Sequence, residues 1–200
     1  MTSERNKVPM AETADRLLAA ARACVIDVGW RRTTLTDVAN RAGVSRMTVY
    51  RTYADMETLF ADLMTREWAD VVAAVVTTDD STASWPDRIA DRVAGSVTAL
   101  RENPLLRRMV DLDPEWLQPY LLERRGRSQD AVLDLLAGRI AEAQAEGGLR
   151  EGDPALLART IVLAAHGFLF SAHTMTDDTT PHLEALDQEL AELVRRYLTP

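Results

Sequence analysis

Few side chains in this sequence are placed to make or break covalent bonds. The lone cysteine, Cys24, lies inside an apolar helical stretch, where it reads as a small core residue. His166 and His173 stand seven residues apart on one predicted helical face, a possible metal pair. A stable site needs three or four ligands, and the uncharged run from Thr160 to Thr176 that carries both histidines offers no carboxylate and no cysteine. There is no glycine-rich phosphate loop, no nucleophile elbow and no His-Glu-x-x-His pair. No metal and no cofactor are expected, and an enzyme is the remote alternative.

The chemistry that the sequence does offer is recognition. From Leu35 to Tyr53 it reads LTDVANRAGVSRMTVYRTY. Thr34 is a capping residue for a short helix over 35–42, with Asp37 three positions on to close a capping box. Val38 and Ala39 are its apolar positions, Ala42 is small enough for close approach, and Gly43 supplies a turn of positive φ. Val44 plugs the corner and Ser45 caps a second short helix to about Thr52. Val49 faces inward, which leaves Arg46, Met47, Thr48 and Arg51 on an outward face. Such a face fits a major groove, and its helix N-terminus favours phosphate. The plain alternative is a helical hairpin inside a core.

The flanking residues favour the first reading. An apolar helix ends in Gly29-Trp30, followed by Thr33-Thr34, Val38-Ala39, Ala42-Gly43-Val44-Ser45, Thr48-Val49-Tyr50, Tyr53 and Leu59. Over Leu17 to Phe60, about 45 residues, this pattern resembles the tetracycline-repressor (TetR) family. The resemblance implies a DNA-binding regulator, most often a repressor that holds a palindromic operator as a dimer and is released by a small molecule. It implies phosphate contacts from Thr34 and Ser45, a sugar-phosphate contact from Tyr50, base contacts from Arg46, Met47 and Thr48, and Tyr53 packed under the recognition helix. Arg46 could equally meet phosphate alone. Two positions depart from the family pattern. Met56 stands where a lysine is usual and neutralises no phosphate, a loss of about one counterion that Arg51 or Arg31-Arg32 could offset. Met47 replaces a small residue and enlarges the surface offered to the groove.

These residues need helices to hold them, and the composition is helical. The 200 residues are 46% hydrophobic and only 6% aromatic, with nine glycines and eight prolines. No segment alternates with period two, so an all-α fold of about nine or ten helices is expected. Leu17, Leu18, Ala21, Val25 and Val28 mark a first helix from about Ala11. Asp55 opens a helix to about Val76, another runs from about Gln129 to Ala145, and caps next to prolines open others: Ser84 with Pro86, Asn103 with Pro104, Asp113 with Pro114, Asp153 with Pro154 and Thr180 with Pro181. Asp79-Asp80 and Asp177-Asp178 read as solvated loops.

Charge divides the chain in the same way. Residues 1–57 hold nine Lys and Arg against seven Asp and Glu, whereas 58–200 hold fourteen against twenty-four. That asymmetry suits a DNA-binding domain over 1–57 and a ligand-binding and dimerisation domain over 58–200. A single cysteine, no apolar leader and no uncharged run of membrane-spanning length suggest a cytoplasmic protein.

Within the second domain, Trp68, Trp85, Met109, Trp116, Tyr120, His166 and Phe170 are candidate lining for an effector pocket, core packing being the plain alternative for each. The helix over 154–173 is apolar nearly all round, and Leu183, Leu186, Leu190, Leu193 and Tyr197 stripe the helix over 181–198. A helix without a polar face needs cover on both sides. The resemblance implies that these two helices meet their dimer mates in a four-helix bundle. A regulator whose signal is another protein is the second functional class left open.

Overall fold

Ten α-helices and two short 3-10 helices follow one another along the residues described by the computed structural model (10–76, 82–177 and 182–200), with no strand among them. The helices are α1 (Met10–Val28), α2 (Leu35–Ala42), α3 (Arg46–Thr52), α4 (Met56–Val76), α5 (Trp85–Glu102), α6 (Pro104–Leu112), α7 (Gln118–Leu122), α8 (Arg127–Ala145), α9 (Pro154–Ser171) and α10 (Leu183–Leu198). The 3-10 turns are Pro114–Trp116 and Ala172–Met175. The all-α architecture expected from composition is therefore what the chain adopts.

Side-chain caps open five of the ten α-helices, those starting after Thr34, Ser45, Asp55, Ser84 and Asp153. Asp55 Oδ1 accepts from Thr58 N at 2.7 Å, Ser84 Oγ from Asp87 N at 3.4 Å and Asp153 Oδ1 from Ala155 N at 3.0 Å. Each satisfies one of the amides that a helix N-terminus leaves unpaired. Asp113 departs from this pattern. It precedes the 3-10 turn at Pro114 but makes no side-chain cap bond; its buried carboxylate accepts instead from Trp30 N at 2.7 Å. Thr180-Pro181, Asp79-Asp80 and Asp178 lie outside the described residues, and α10 starts at Leu183 with His182 as its N-cap residue.

The chain divides into two compact units: Met1–Arg66 with Pro104–Arg124, and Glu67–Asn103 with Arg125–Pro200. The division expected at residue 57 differs from this one, for a packing reason. In the first unit Trp30 lies 4.2 Å, centroid to centroid, from Phe60 and 5.0 Å from Trp116, so early α4 and the turn after α6 share a core with the helix-turn-helix. Leu17, Val25, Val38, Val49, Leu59 and Leu105 are fully buried there, each stabilising by about 1.5–3 kcal/mol relative to exposure. Val28, placed on the apolar stripe of α1 by spacing, is 38% exposed.

In the second unit α5 lies along α10. Leu190, Val194 and Leu198 are buried on α10, Ile89, Ala90 and Val97 on α5. Arg101 pairs with Asp187 through contacts of 2.7 and 3.0 Å and donates to Phe168 O at 3.2 Å, joining α5, α9 and α10. Helix α9 with the turn after it (Pro154–Met175) is long and apolar enough to cross a membrane by length and composition alone, yet only 28% of its most apolar window is buried within the chain.

Candidate nucleic-acid interface

The interface is built from two short helices and their caps. Thr34 is extended (φ −120°, ψ 159°) and closes a capping box: its Oγ1 accepts from Asp37 N at 3.2 Å, while Asp37 Oδ2 accepts from Thr34 N at 2.9 Å. The hydroxyl of Thr34 also donates to Asp37 Oδ2 at 2.6 Å. These bonds hold the Asp37 carboxyl below the usual carboxylate range. Gly43 ends α2 in the left-handed region (φ 65°, ψ 35°), where other residues pay a steric penalty. Arg16 Nη2 donates to Ala42 O at 2.6 Å and satisfies a terminal carbonyl of the same helix.

Ser45 then caps α3, accepting from Thr48 N at 3.1 Å, with its hydroxyl 2.9 Å from Thr48 Oγ1. Seven residues of α-helix span about 10 Å, the length of about three base-pair steps. Val49 is fully buried and Tyr53, which ends the helix, is 3% exposed. Buried at the end of α3, Tyr53 lies off its outer face. Burial first, then the nearby and hydrogen-bonded Asp62, pushes the Tyr53 phenol up to about 12.

The opposite side of α3 is open. Met47 is 77% exposed and Tyr50 55%, with Arg46, Arg51 and Ser45 exposed and Thr48 half-buried. Among the described residues, neither Arg46 nor Arg51 has an ion-pair or hydrogen-bond partner, and both side chains are exposed. Arg32 is likewise exposed and uncommitted. Its neighbour Arg31 is not: it pairs with Glu115 and lies 3.8 Å from Asp113. An outward row of two guanidiniums, a thioether and a phenol, backed by a rigid apolar seat, can meet phosphates and base edges together.

The pocket candidates are divided between the two units. Met109, Trp116 and Tyr120 belong to the first unit, where Met109 is fully buried, Trp116 packs on Trp30 and Tyr120 sits under Arg124, 5.2 Å from its ring centre. Trp85, in the second unit, is pinned: its Nε1 donates to Glu146 at 2.7 Å and Arg88 lies 4.2 Å over the ring. Trp68 is half-buried on α4. His166 and Phe170 do meet, with ring centroids 6.1 Å apart, and burial lowers the His166 pKa. His173 no longer shares a continuous helix with His166, because the chain tightens into a 3-10 turn at Ala172. Among the described residues no group of three or more His, Cys, Asp and Glu is placed to hold a metal. A shallow open depression of about 330 Å³ lies instead on the first unit, between Arg16, Ala19, Ala20, Ala23, Arg41 and Ala42.

Spacing alone missed the contact between Asp113 and Trp30. Its only sequence signal was a carboxylate before a proline, which local rules assign to a cap.

Comparison with known proteins agrees with this geometry. Residues 17–63 match the family described as bacterial regulatory proteins, tetR family. The chain is 35% identical over 188 residues to an uncharacterized HTH-type transcriptional regulator of Mycobacterium tuberculosis, covering 94% of this chain and 95% of the relative. The R. erythropolis transcriptional repressor QsdR, from the TetR family, superposes with a TM-score of 0.70 at 15% identity, over 95% of this chain and 96% of that one. The regulator FadR of Bacillus subtilis, solved with stearoyl-CoA, gives a TM-score of 0.63 at 18% identity, over 90% and 96%. At such identities these two structures speak for the fold. The relative, the matched segment and the helix-turn-helix together make the chain a member of the TetR family of DNA-binding transcriptional regulators.

Proposed function

We propose that this regulator is a repressor that reads a palindromic operator as a homodimer and lets go when a small molecule binds its second unit. The observation that carries the reading is α3, whose buried side (Val49) seats it while Arg46, Met47, Tyr50 and Arg51 face solvent. A single seven-residue helix reads too few base pairs for a unique site, so two copies on half-sites about 34–36 Å apart are needed.

The dimer surface we assign is α9 with α10. Leu163 is 72% exposed on α9 and Leu156 59%, Gly167 has open space around it, and Leu193 on α10 is 46% exposed. A second copy laid on this face would remove those side chains from water. For the effector site we retain Trp68, Trp85, His166 and Phe170, which share the second unit. Stearoyl-CoA in the related FadR shows the kind of molecule a TetR-like fold accommodates; the effector of this chain is a separate matter for binding screens. These roles place the protein at the chromosome, in the cytoplasm.

A protein partner as the signal is the second reading, favoured by one observation: Leu121 and Leu122 on α7 are 41% and 74% exposed. Selection of bound duplexes from a random pool tests the main reading. It predicts enriched sites with two inverted half-sites about one helical turn apart, or a multiple of it. Enrichment of unpaired or unrelated sequences contradicts it.

A further inference from the structure

The elbow between α1 and α2 is gripped on both sides from one distant segment, α6 and the residue that follows it. On the α1 side, Arg108 Nη2 donates to Asp27 O at 3.1 Å, a carbonyl of the last helical turn. On the far side, Trp30 N donates to Asp113 Oδ2 at 2.7 Å across 83 residues of chain. Asp113 is 2% exposed. A carboxylate so deeply buried is costly unless hydrogen-bonded or paired, and the partners it has, the Trp30 amide and the Arg31 guanidinium, both belong to the elbow.

The approach is close. Gly29 has φ +86°, and a Cβ there would stand 3.1 Å from both Asp113 Oδ2 and Leu112 Cδ1. From the elbow the connection runs on into the helix-turn-helix: Thr33 Oγ1 donates to Gly29 O at 2.8 Å, and the next residue, Thr34, is the cap of α2. Fixing Trp30 therefore fixes the start of the helix against which α3 is braced.

We propose that Asp113 is the positioning residue that holds the DNA-reading helices in a set orientation on α6, and that this orientation is what makes a dimer select one half-site spacing. The proposal rests on the operator reading above. Arg108 is the second, weaker anchor of the same grip. Helices α1–α3 pack on one another as a unit, so loss of Asp113 loosens that whole head against α6, several spacings are accommodated about equally and none is bound well.

The test uses the full-length protein and a series of duplexes in which the selected half-sites are separated by one to several base pairs more or fewer than the best spacer. For Asp113→Ala the expected result is a drop of tenfold or more at the best spacer, a nearly flat response across its neighbours, and binding to unrelated duplex at low salt within twofold of wild type. Asp113→Asn keeps an acceptor for Trp30 N, so the wild-type optimum should return. A simple loss of stability would lower affinity at every spacer in parallel; that outcome, or an unchanged optimum in Asp113→Ala, overturns the proposal. Should Asp113→Ala fail to fold, Arg108→Ala takes its place: a broadened optimum supports the grip and an unchanged one overturns it. A wild-type protein with no spacer optimum removes the operator reading itself, and the role of Asp113 with it.

Discussion

At the residue scale, the two guanidiniums on α3 differ in position. Arg46 occupies the first helical position and Arg51 the last turn, both exposed and uncommitted. An arginine bidentate to guanine supplies about 1–3 kcal/mol of discrimination, whereas one on phosphate supplies sequence-independent affinity. Arg46→Ala should therefore lower operator affinity by about 5- to 150-fold while affinity for unrelated duplex changes much less. Equal losses in titrations with both duplexes would assign Arg46 to the backbone alone.

Burial sets a second residue-scale expectation. The pKa of His166 is lowered from its ordinary value of 6.5 by desolvation, so the folded chain holds this ring neutral where the unfolded chain already binds a proton. Stability then falls as pH drops through 6.5 toward the lower folded value. The carboxylates held below their ordinary range, Asp37, Asp55, Asp87 and Glu192, lose their contributions only at more acid pH, below their unfolded values. Denaturant midpoints between pH 7 and pH 5 should decline in the wild type and decline less in His166→Gln. Parallel declines would show that the ring titrates equally in both states.

At the element scale, helix ends were the most legible feature of the sequence. Thr34 with Asp37, Ser45, Ser84 and Asp153 cap the helices that spacing assigned to them, because a cap is a bond between residues two or three apart and needs nothing distant. The same local rule fails at Asp113, whose partner lies 83 residues away. Trp116 and Met109, candidate pocket lining by residue type, share a compact unit with the helix-turn-helix, where Trp116 packs on Trp30. Tertiary partners leave no trace in spacing.

The pinned Trp85 offers an element-scale test. A Cβ on Gly148 would stand 2.5 Å from Trp85 Cδ1, and the indole has little room to retreat, held by Glu146 and covered by Arg88. Gly148→Ala must separate the start of α5 from the loop after α8, at a cost of about 1–3 kcal/mol. Chemical denaturation should show the lower midpoint; an unchanged midpoint would mean that the ring shifts freely.

At the scale of the whole molecule, the dimer surface proposed on α9 rests on its exposed leucines, Leu156 and Leu163. Stable interfaces bury about 1,200–2,000 Å² with an apolar centre, and a charge placed in that centre has no partner. Leu163→Glu should give a monomer in sedimentation experiments, with helical content near wild type by circular dichroism and operator affinity lost by at least two orders of magnitude. A dimer that persists would move the interface elsewhere. The same scale explains why an acidic chain can bind DNA: the excess of carboxylates lies after residue 57, while the segment before it carries a slight basic surplus.

The most direct measurement repeats the selection of duplexes with Met47→Ala. Met47 is the most exposed of the large apolar side chains described, at 77%, and it packs into no core, so its loss should leave folding unchanged. If α3 lies in the major groove, the enriched sites will keep their symmetry and spacing but relax or change base preference at one position in each half-site. Identical base preferences at every position would show that this face of α3 does not read DNA.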